Sequence, residues 1–221
     1  MPNICSYNVE FHGDPEVIEE LDNAFRVPPT EIDPHDEYRD YDLTRVKPCP
    51  EDLQITSTYF DIGVVQEDPE QEALRQQYIT NLEIYGHKDW YDWCVSNWGT
   101  KWPPSVHSID GSKDHLSIRG DSAWAPPSAL IAFITKQYPV EAYLSYQEDS
   151  MCFAGIDAYV RGEMVYDGYF EYSDVPSVAD AQEAVDWDAE DDGYQEFQDA
   201  IEDEVARREA EAMKAIAKER N

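Results

Sequence analysis

The sequence predicts an α+β fold in which an antiparallel sheet is backed by helices and followed by an acidic helical C-terminal extension. Three segments with the alternation of strands follow one another closely, at 141–147, 151–161 and 163–172. The polar turns between them, at 148–150 and 161–162, are typical of antiparallel hairpins. A change of composition after the third strand predicts the extension.

The first 85 residues combine strands, helices and an irregular segment. Alternating apolar residues predict a strand over 4–12, and Pro15 marks the first position of a helix. Residues 27–52 are rich in proline and acid, so we expect an exposed insertion with little regular structure. A strand is expected over 55–65, and apolar residues spaced by four predict a helix over 69–85.

The middle of the chain continues the mixture of strands and helices. An aromatic segment predicts a helix over 90–98. Two short strands are expected over 106–109 and 115–119, joined by a turn at 110–111. A helix over 127–138 follows and ends at a proline.

The last 50 or so residues differ from the rest in charge. Residues 174–204 contain 13 acids and no Lys or Arg, and their Ala, Glu and Gln content favours helix. We expect two helices, interrupted at 188–193. One face of the second helix is apolar and comprises Phe197, Ile201, Val205, Ala212 and Ile216. The chain is therefore predicted to divide into a domain over 1–172 and an ordered acidic tail over 173–221.

The formal net charge is −32, from 48 acids and 16 bases. Such a surface repels nucleic acid and anionic lipid and attracts basic proteins. Adaptation to high salt would also produce an acidic protein, although it predicts an even spread, and the middle third is far less acidic than the two ends. No membrane span or secretory signal is recognisable, so we expect a soluble protein of the host cell cytoplasm with reduced cysteines.

Several short blocks stand in a characteristic order. They are MPNICSYNVEFHGDPEVIEEL at the start, VKPCPEDL, NWGTKW at 97–102, SAWAPPSAL at 122–130 and FAG at 153–155. Together they resemble plasmid and phage proteins that carry the YubB-type ferredoxin-like domain. The resemblance covers about residues 1–172 and implies a ferredoxin-like fold and a mobile-element origin, but no catalytic residues. Ile4 stands where such proteins usually have Trp, and the tail is not part of the resemblance.

Two other groups of residues are candidates for a site. Tryptophans near Trp98, Trp102 and Trp124 suit either a stacking platform or core packing, and packing is the more common role. The group His107, Asp110, Asp114 and His115 suits either metal ligands around a turn or ordinary surface residues. Since no established catalytic or metal-binding motif occurs, we expect neither enzymatic activity nor a metal or cofactor.

The acidic tail is the preferred functional site. Carboxylates three or four residues apart on a helix lie about 5–6 Å apart, which is close to the phosphate spacing along a nucleic-acid strand. The candidate partner-binding residues are Asp188, Asp191, Asp192, Glu196, Asp199, Glu202 and Asp203. The alternative is a solvated acidic tail without a partner.

The leading hypothesis is a non-enzymatic phage or plasmid accessory protein. It would bind, and inhibit, a basic nucleic-acid-binding host protein as a DNA mimic, in the manner of anti-restriction or anti-CRISPR proteins. One alternative is a small ligand-binding domain or enzyme that uses the tryptophan-lined region. Another is a self-assembling structural protein that dimerises through the tail. Direct contact with nucleic acid or membrane is not expected.

Overall fold

The computed structural model describes residues 3–28, 40–185 and 193–220. The strands are β1 (Ile4–Gly13), β2 (Ser108–Gly111), β3 (His115–Ala123), β4 (Val140–Glu148), β5 (Phe153–Val160), β6 (Glu163–Tyr166) and β7 (Phe170–Glu171). The helices are α1 (Pro15–Phe25), α2 (Pro69–Tyr85), α3 (Trp90–Trp98), α4 (Ser128–Gln137), α5 (Pro176–Ala184) and α6 (Tyr194–Glu219). The predicted α+β class, with its helical C-terminal extension, is confirmed.

A single antiparallel sheet joins all these strands. Its order is β2-β3-β1-β4-β5-β6, and β7 pairs with β5. β1 lies in the interior of the sheet, between β3 and β4. Tyr7, Val9 and Phe11 alternate along β1 and are buried on one face, which we name the first face. The intervening polar residues of β1 therefore point to the opposite, second face.

The main hydrophobic core lies on the first face of the sheet. Helices α1, α3 and α4 contribute to it through Ile18, Leu21, Phe25, Trp93, Cys94, Trp98, Leu130, Ile131 and Ile134. In α1 the spacing of the three buried residues follows the helical period, so they share one side of the helix. The predicted helix at 127–138 is likewise confirmed, and Pro139 follows its end.

Among the described helices, α6 covers the second face over β5, β6 and part of β4, and α5 packs beside it. Phe197 and Ile201 of α6 pack with Ala154 of β5, and Ala212 and Ile216 pack with β5 further along. Over β1 and β3 this face carries mostly polar side chains, of which Asn8, Glu10, His12 and His115 are half-buried, and β2 at the edge is exposed. Within the described ranges, no helix has the length and apolar character that crossing a membrane requires.

The strand predicted over 55–65 is wrong, because the side chains of α2 bind the backbone of this segment. The Tyr78 hydroxyl donates to the Thr56 carbonyl at 2.5 Å and accepts from the Thr58 amide at 3.0 Å. Arg75 donates to the Ile62 carbonyl at 2.7 Å. These bonds satisfy backbone groups without a neighbouring strand.

The insertion predicted over 27–52 is exposed and irregular only in part. Residues 29–39 lie outside the described residues. The following residues form short 3-10 helices at Leu43–Val46 and Glu51–Leu53. Tyr41, Leu43 and Leu53 are buried in the main core. Their burial was missed because three apolar residues in a proline-rich segment show no helical or strand period.

The last predicted strand, 163–172, is divided into β6 and β7. Asp167 and Gly168 interrupt it, and the Gly168 amide donates to the Asp157 carboxylate at 3.3 Å. A side chain at position 168 would place its Cβ 2.3 Å from the Ile156 carbonyl oxygen, so only glycine fits. Near the middle of the chain, β2 begins two residues later than predicted and includes Gly111.

Candidate functional site

Helix α6 carries the apolar stripe that the sequence predicted, and this stripe packs on the chain's own domain. Phe197 and Ile201 are buried with Phe170, Tyr172 and Val178. Ala212 and Ile216 are buried with Ala158 and Val160. Val205 is half-buried beside the first of these clusters. Within the described residues, the C-terminal extension thus forms helices α5 and α6, and the apolar stripe of α6 packs on the sheet of the same chain.

Arg208, in the middle of α6, forms hydrogen bonds to the loop between β6 and β7. Its Nη1 donates to the Gly168 carbonyl at 3.2 Å and to the Tyr169 carbonyl at 3.0 Å. Its guanidinium lies 4.6 Å from the centre of the Phe170 ring. Hydrogen bonds from Arg207, and then from Arg208, lower the pKa of Glu204 to about 2. Glu204 is therefore ionised at neutral pH and pairs with both arginines.

Carboxylates near the C-terminal end of α6 also form ion pairs with arginines. Arg207 contacts Glu211 at 3.1 Å. Arg161 on the turn after β5 contacts Glu219 at 2.9 Å. Arg220 binds Glu141 of β4, with 2.6 Å between Nε and Oε1. Acids and bases thus largely compensate each other in this half of the helix.

The N-terminal half of α6 carries the candidate partner-binding residues that the structure describes. Glu196, Asp199, Glu202 and Asp203 are all exposed. Among the described residues, none of them forms an ion pair within 4.0 Å. Their side chains lie on the side away from Phe197 and Ile201, so they form an outward acidic face of the helix. Asp188, Asp191 and Asp192 lie outside the described residues.

The open part of the second face holds a cluster that the sequence analysis missed. Glu10 and His12 lie on β1, and His115 lies on β3 directly opposite His12. The Glu10 carboxylate is 3.7 Å from Nε2 of each histidine. The grouping depends on the register between two strands that are far apart in the sequence, and no local motif encodes it.

The four residues considered from the sequence as metal ligands or surface residues, His107, Asp110, Asp114 and His115, do not come together as one group. His107 contacts Ser105 at 2.9 Å and Asp121 at 3.4 Å, and it uses the same Nε2 for both. Asp114 accepts from the Ser112 hydroxyl, and Asp110 accepts from the Gly111 amide. The turn places these side chains in separate local contacts, whereas His115 turns toward Glu10.

The tryptophan-lined region serves mainly for packing. Trp98 is buried and donates its indole N–H to the Lys47 carbonyl at 2.9 Å. Trp102 and Trp124 lie nearer the surface, and the Lys101 ammonium is 5.0 Å and 4.8 Å from their ring centres. The chain's own lysine therefore occupies the space between these rings through cation–π contacts.

Buried ionisable groups occur in the core. Asp157 is buried and accepts hydrogen bonds from Tyr146 and Tyr159, both at 3.2 Å. Burial, together with the charge of Asp167, raises its pKa to about 6. Burial also raises the pKa of the Cys5 and Cys94 thiols to about 12. These thiols are protonated at neutral pH and are poor metal ligands or nucleophiles in that form.

Comparison with known proteins identifies the family. A family model described as the ferredoxin-like domain in Api92-like protein matches residues 97–217, which include α5 and almost all of α6. The chain is similar to protein api92 from Yersinia pseudotuberculosis, with 14% identity and a TM-score of 0.44 over 77% of this chain and 98% of that chain. No curated protein matches the sequence. Since the family model covers more than half of the chain, the protein belongs to the Api92-like family and carries its ferredoxin-like domain.

Proposed function

We propose that this protein is a non-enzymatic accessory protein of a phage or plasmid that binds a basic, nucleic-acid-handling host protein. The observation that carries the proposal is the outward acidic face of α6, with Glu196, Asp199, Glu202 and Asp203 exposed and without ion pairs among the described residues. The resemblance of the sequence to mobile-element proteins supports the proposed phage or plasmid origin.

The anchoring of α6 favours binding by this face. Phe197 and Ile201 hold the helix on the sheet, so its carboxylates are ordered before a partner arrives. A preorganised surface loses less conformational entropy on association than a flexible tail does. Carboxylates at helical spacings of three and four residues also present charge at intervals similar to those of phosphates. Inhibition as a DNA mimic follows if the partner uses its nucleic-acid groove for this contact.

The two alternatives have less support from the described contacts. A ligand in the tryptophan region would have to displace Lys101 from between Trp102 and Trp124. Self-assembly through the tail would require an apolar surface, but Phe197 and Ile216 are buried in the chain's own clusters. Neither alternative accounts for the uncompensated carboxylates on the opposite side of the helix.

The proposal can be tested by affinity capture from bacterial lysate at low salt, followed by competition with duplex DNA. We expect the captured proteins to be basic nucleic-acid-binding proteins that DNA displaces. Exposed charges are screened beyond about 10 Å at 0.1 M salt, so capture should weaken as salt is raised. A failure to capture such proteins, or capture that DNA leaves unchanged, would contradict the proposal.

A charge-matched pair of variants locates the interface. One variant neutralises Glu196, Asp199, Glu202 and Asp203 to Gln or Asn. The control neutralises four exposed acids elsewhere, namely Glu16, Glu19, Glu20 and Glu83. We expect the α6 variant to lose about fourfold or more in affinity for the captured partner, since four exposed ion pairs at roughly 0.2–1 kcal/mol each sum to about 0.8–4 kcal/mol. Equal losses in both variants would show that only net charge matters.

A further inference from the structure

We propose that Glu10, His12 and His115 form a binding site for a divalent transition-metal ion of the zinc type. The site lies on the open part of the second face, away from the acidic face of α6, and does not depend on the function proposed above. Antiparallel pairing sets His12 opposite His115, and the two-residue period of β1 places Glu10 on the same face.

The distances among the three side chains suit a shared ion. Glu10 Oε2 is 3.7 Å from Nε2 of His12 and 3.7 Å from Nε2 of His115. One ligand atom from each residue lies within 4.8 Å of the others. A tetrahedral zinc ion with bonds of about 2.0–2.1 Å holds its ligand atoms roughly 3.3 Å apart. Binding thus requires only small side-chain movements, whereas 3.7 Å is too long for a direct hydrogen bond.

Hydrogen bonds from neighbouring side chains orient the Glu10 carboxylate. The Ser117 hydroxyl donates to Asn8 Oδ1 at 3.0 Å, and Asn8 Nδ2 donates to Glu10 Oε1 at 3.3 Å. This chain of bonds fixes one carboxylate oxygen and leaves Oε2 directed at the two imidazoles. Such outer hydrogen bonds commonly hold metal ligands in position and increase metal affinity.

The chemistry of the ligands indicates the class of metal. Two imidazoles and one carboxylate suit zinc and its neighbours, whereas calcium and magnesium prefer sites made of oxygen atoms. All three residues are half-buried, so a fourth position is open to water or to a group from a partner. The net charge of −32 also raises the concentration of cations near the surface.

Titration of the full-length chain with Zn²⁺, followed by calorimetry, tests the site. We expect one strongly bound ion per chain and a rise in melting temperature with added Zn²⁺. The near-isosteric Glu10→Gln variant and the double variant His12→Gln/His115→Gln should each lose at least about tenfold to a hundredfold in affinity. His107→Gln, which removes an exposed histidine at the other end of β3, should bind as the unsubstituted chain does.

Two further measurements distinguish this site from zinc binding at the cysteines or at scattered surface carboxylates. Substitution with Co²⁺ should give visible absorption bands without a thiolate charge-transfer band, which excludes the cysteines as ligands. Asn8→Ala should weaken Zn²⁺ binding by about tenfold to a hundredfold through loss of the orienting bond. The inference is overturned if the unsubstituted chain binds no Zn²⁺, which would leave an imidazole–carboxylate cluster only. It is equally overturned if binding survives in both Glu10→Gln and the double histidine variant.

Discussion

The second face of the sheet is divided between a part that α5 and α6 cover and a part that is open. On β5, the residues that point to this face beneath α6 include Ala154, Ala158 and Val160, which are all buried. On β1, the residues that point to the same face include Glu10 and His12, which are half-buried and polar. Both parts belong to one antiparallel sheet, and the apolar side chains of β5 suit packing against a helix whereas the polar side chains of β1 suit contact with water.

This difference shows that α6 contributes to the fold as well as to the proposed binding surface. Its apolar side closes two hydrophobic clusters, and its outer side carries the exposed acids. The open part has no such cover in the described residues and retains polar side chains next to one another. Substitutions can measure how strongly the covered part is held and which charged groups hold it.

The largest expected effect is that of removing an anchor of α6. Phe197→Ala should lower the free energy of unfolding by about 3–5 kcal/mol, because it creates a cavity beneath the helix. Urea denaturation measures the effect, and Glu202→Ala on the exposed side should change stability by no more than about 0.5 kcal/mol. A loss below about 1 kcal/mol for Phe197→Ala would mean that the packing of α6 on the sheet contributes little to the free energy of unfolding.

A smaller effect concerns the buried carboxylate of Asp157. Its pKa is raised from 3.8 to about 6 in the folded protein, so the folded state binds the proton more tightly than the unfolded state does. Stability should therefore fall as pH rises from about 4 to about 6, by on the order of 3 kcal/mol from this group. Below the unfolded pKa both states are protonated, and no stability is lost through this group.

Asp157→Asn isolates this contribution from those of other groups. Glu204, whose pKa is lowered, changes stability in the opposite direction at lower pH, but it is present in both proteins. The difference in unfolding free energy between Asp157→Asn and the unsubstituted chain should thus shift in favour of Asn as pH rises from about 4 to about 7. A difference in unfolding free energy between the two proteins that stays constant across this pH range would contradict the raised pKa of Asp157.

The smallest expected effect is a difference in stability between alanine variants of two neighbouring arginines, Arg207 and Arg208, which both pair with Glu204. Arg208→Ala should cost about 2 kcal/mol, since it removes charged hydrogen bonds to the Gly168 and Tyr169 carbonyls. Arg207→Ala should cost at most about 1 kcal/mol, because Arg207 is exposed and its ion pairs among the described residues are with Glu204 and Glu211 of the same helix. Equal costs, measured by thermal or urea denaturation, would show that the contact with the β6–β7 loop adds nothing.

Prediction from the sequence succeeded where local patterns suffice. The bounds of β1, α2, α3 and α4 lie within one residue of those predicted, and α1 begins at Pro15 as predicted. The strand over 55–65 failed because side chains of α2 bind that segment, which no local pattern reveals. The division into a 1–172 domain and a 173–221 tail stays a prediction, although the packing of α6 on β5 ties the two segments together.

For the acidic residues of α6, too, some features could be predicted from the sequence and others could not. The acidic residues of α6 were predictable, because a run without Lys or Arg and an apolar stripe are both read directly from residue order. Which carboxylates are compensated was not predictable. Glu219 and Glu141 are paired by Arg161 and Arg220, and those contacts depend on how the helix lies on the sheet.

The sequence by itself thus determined the α+β class, the position of most elements, the excess of acid at both ends and the amphipathic character of α6. Each of these depends on the order of neighbouring residues and on their spacing. Only the tertiary structure decided that His115 meets Glu10 and His12, and that α6 covers β5 but leaves β1 open. Strand register and helix docking depend on contacts between residues far apart in the chain, and local periodicity carries no information about these contacts.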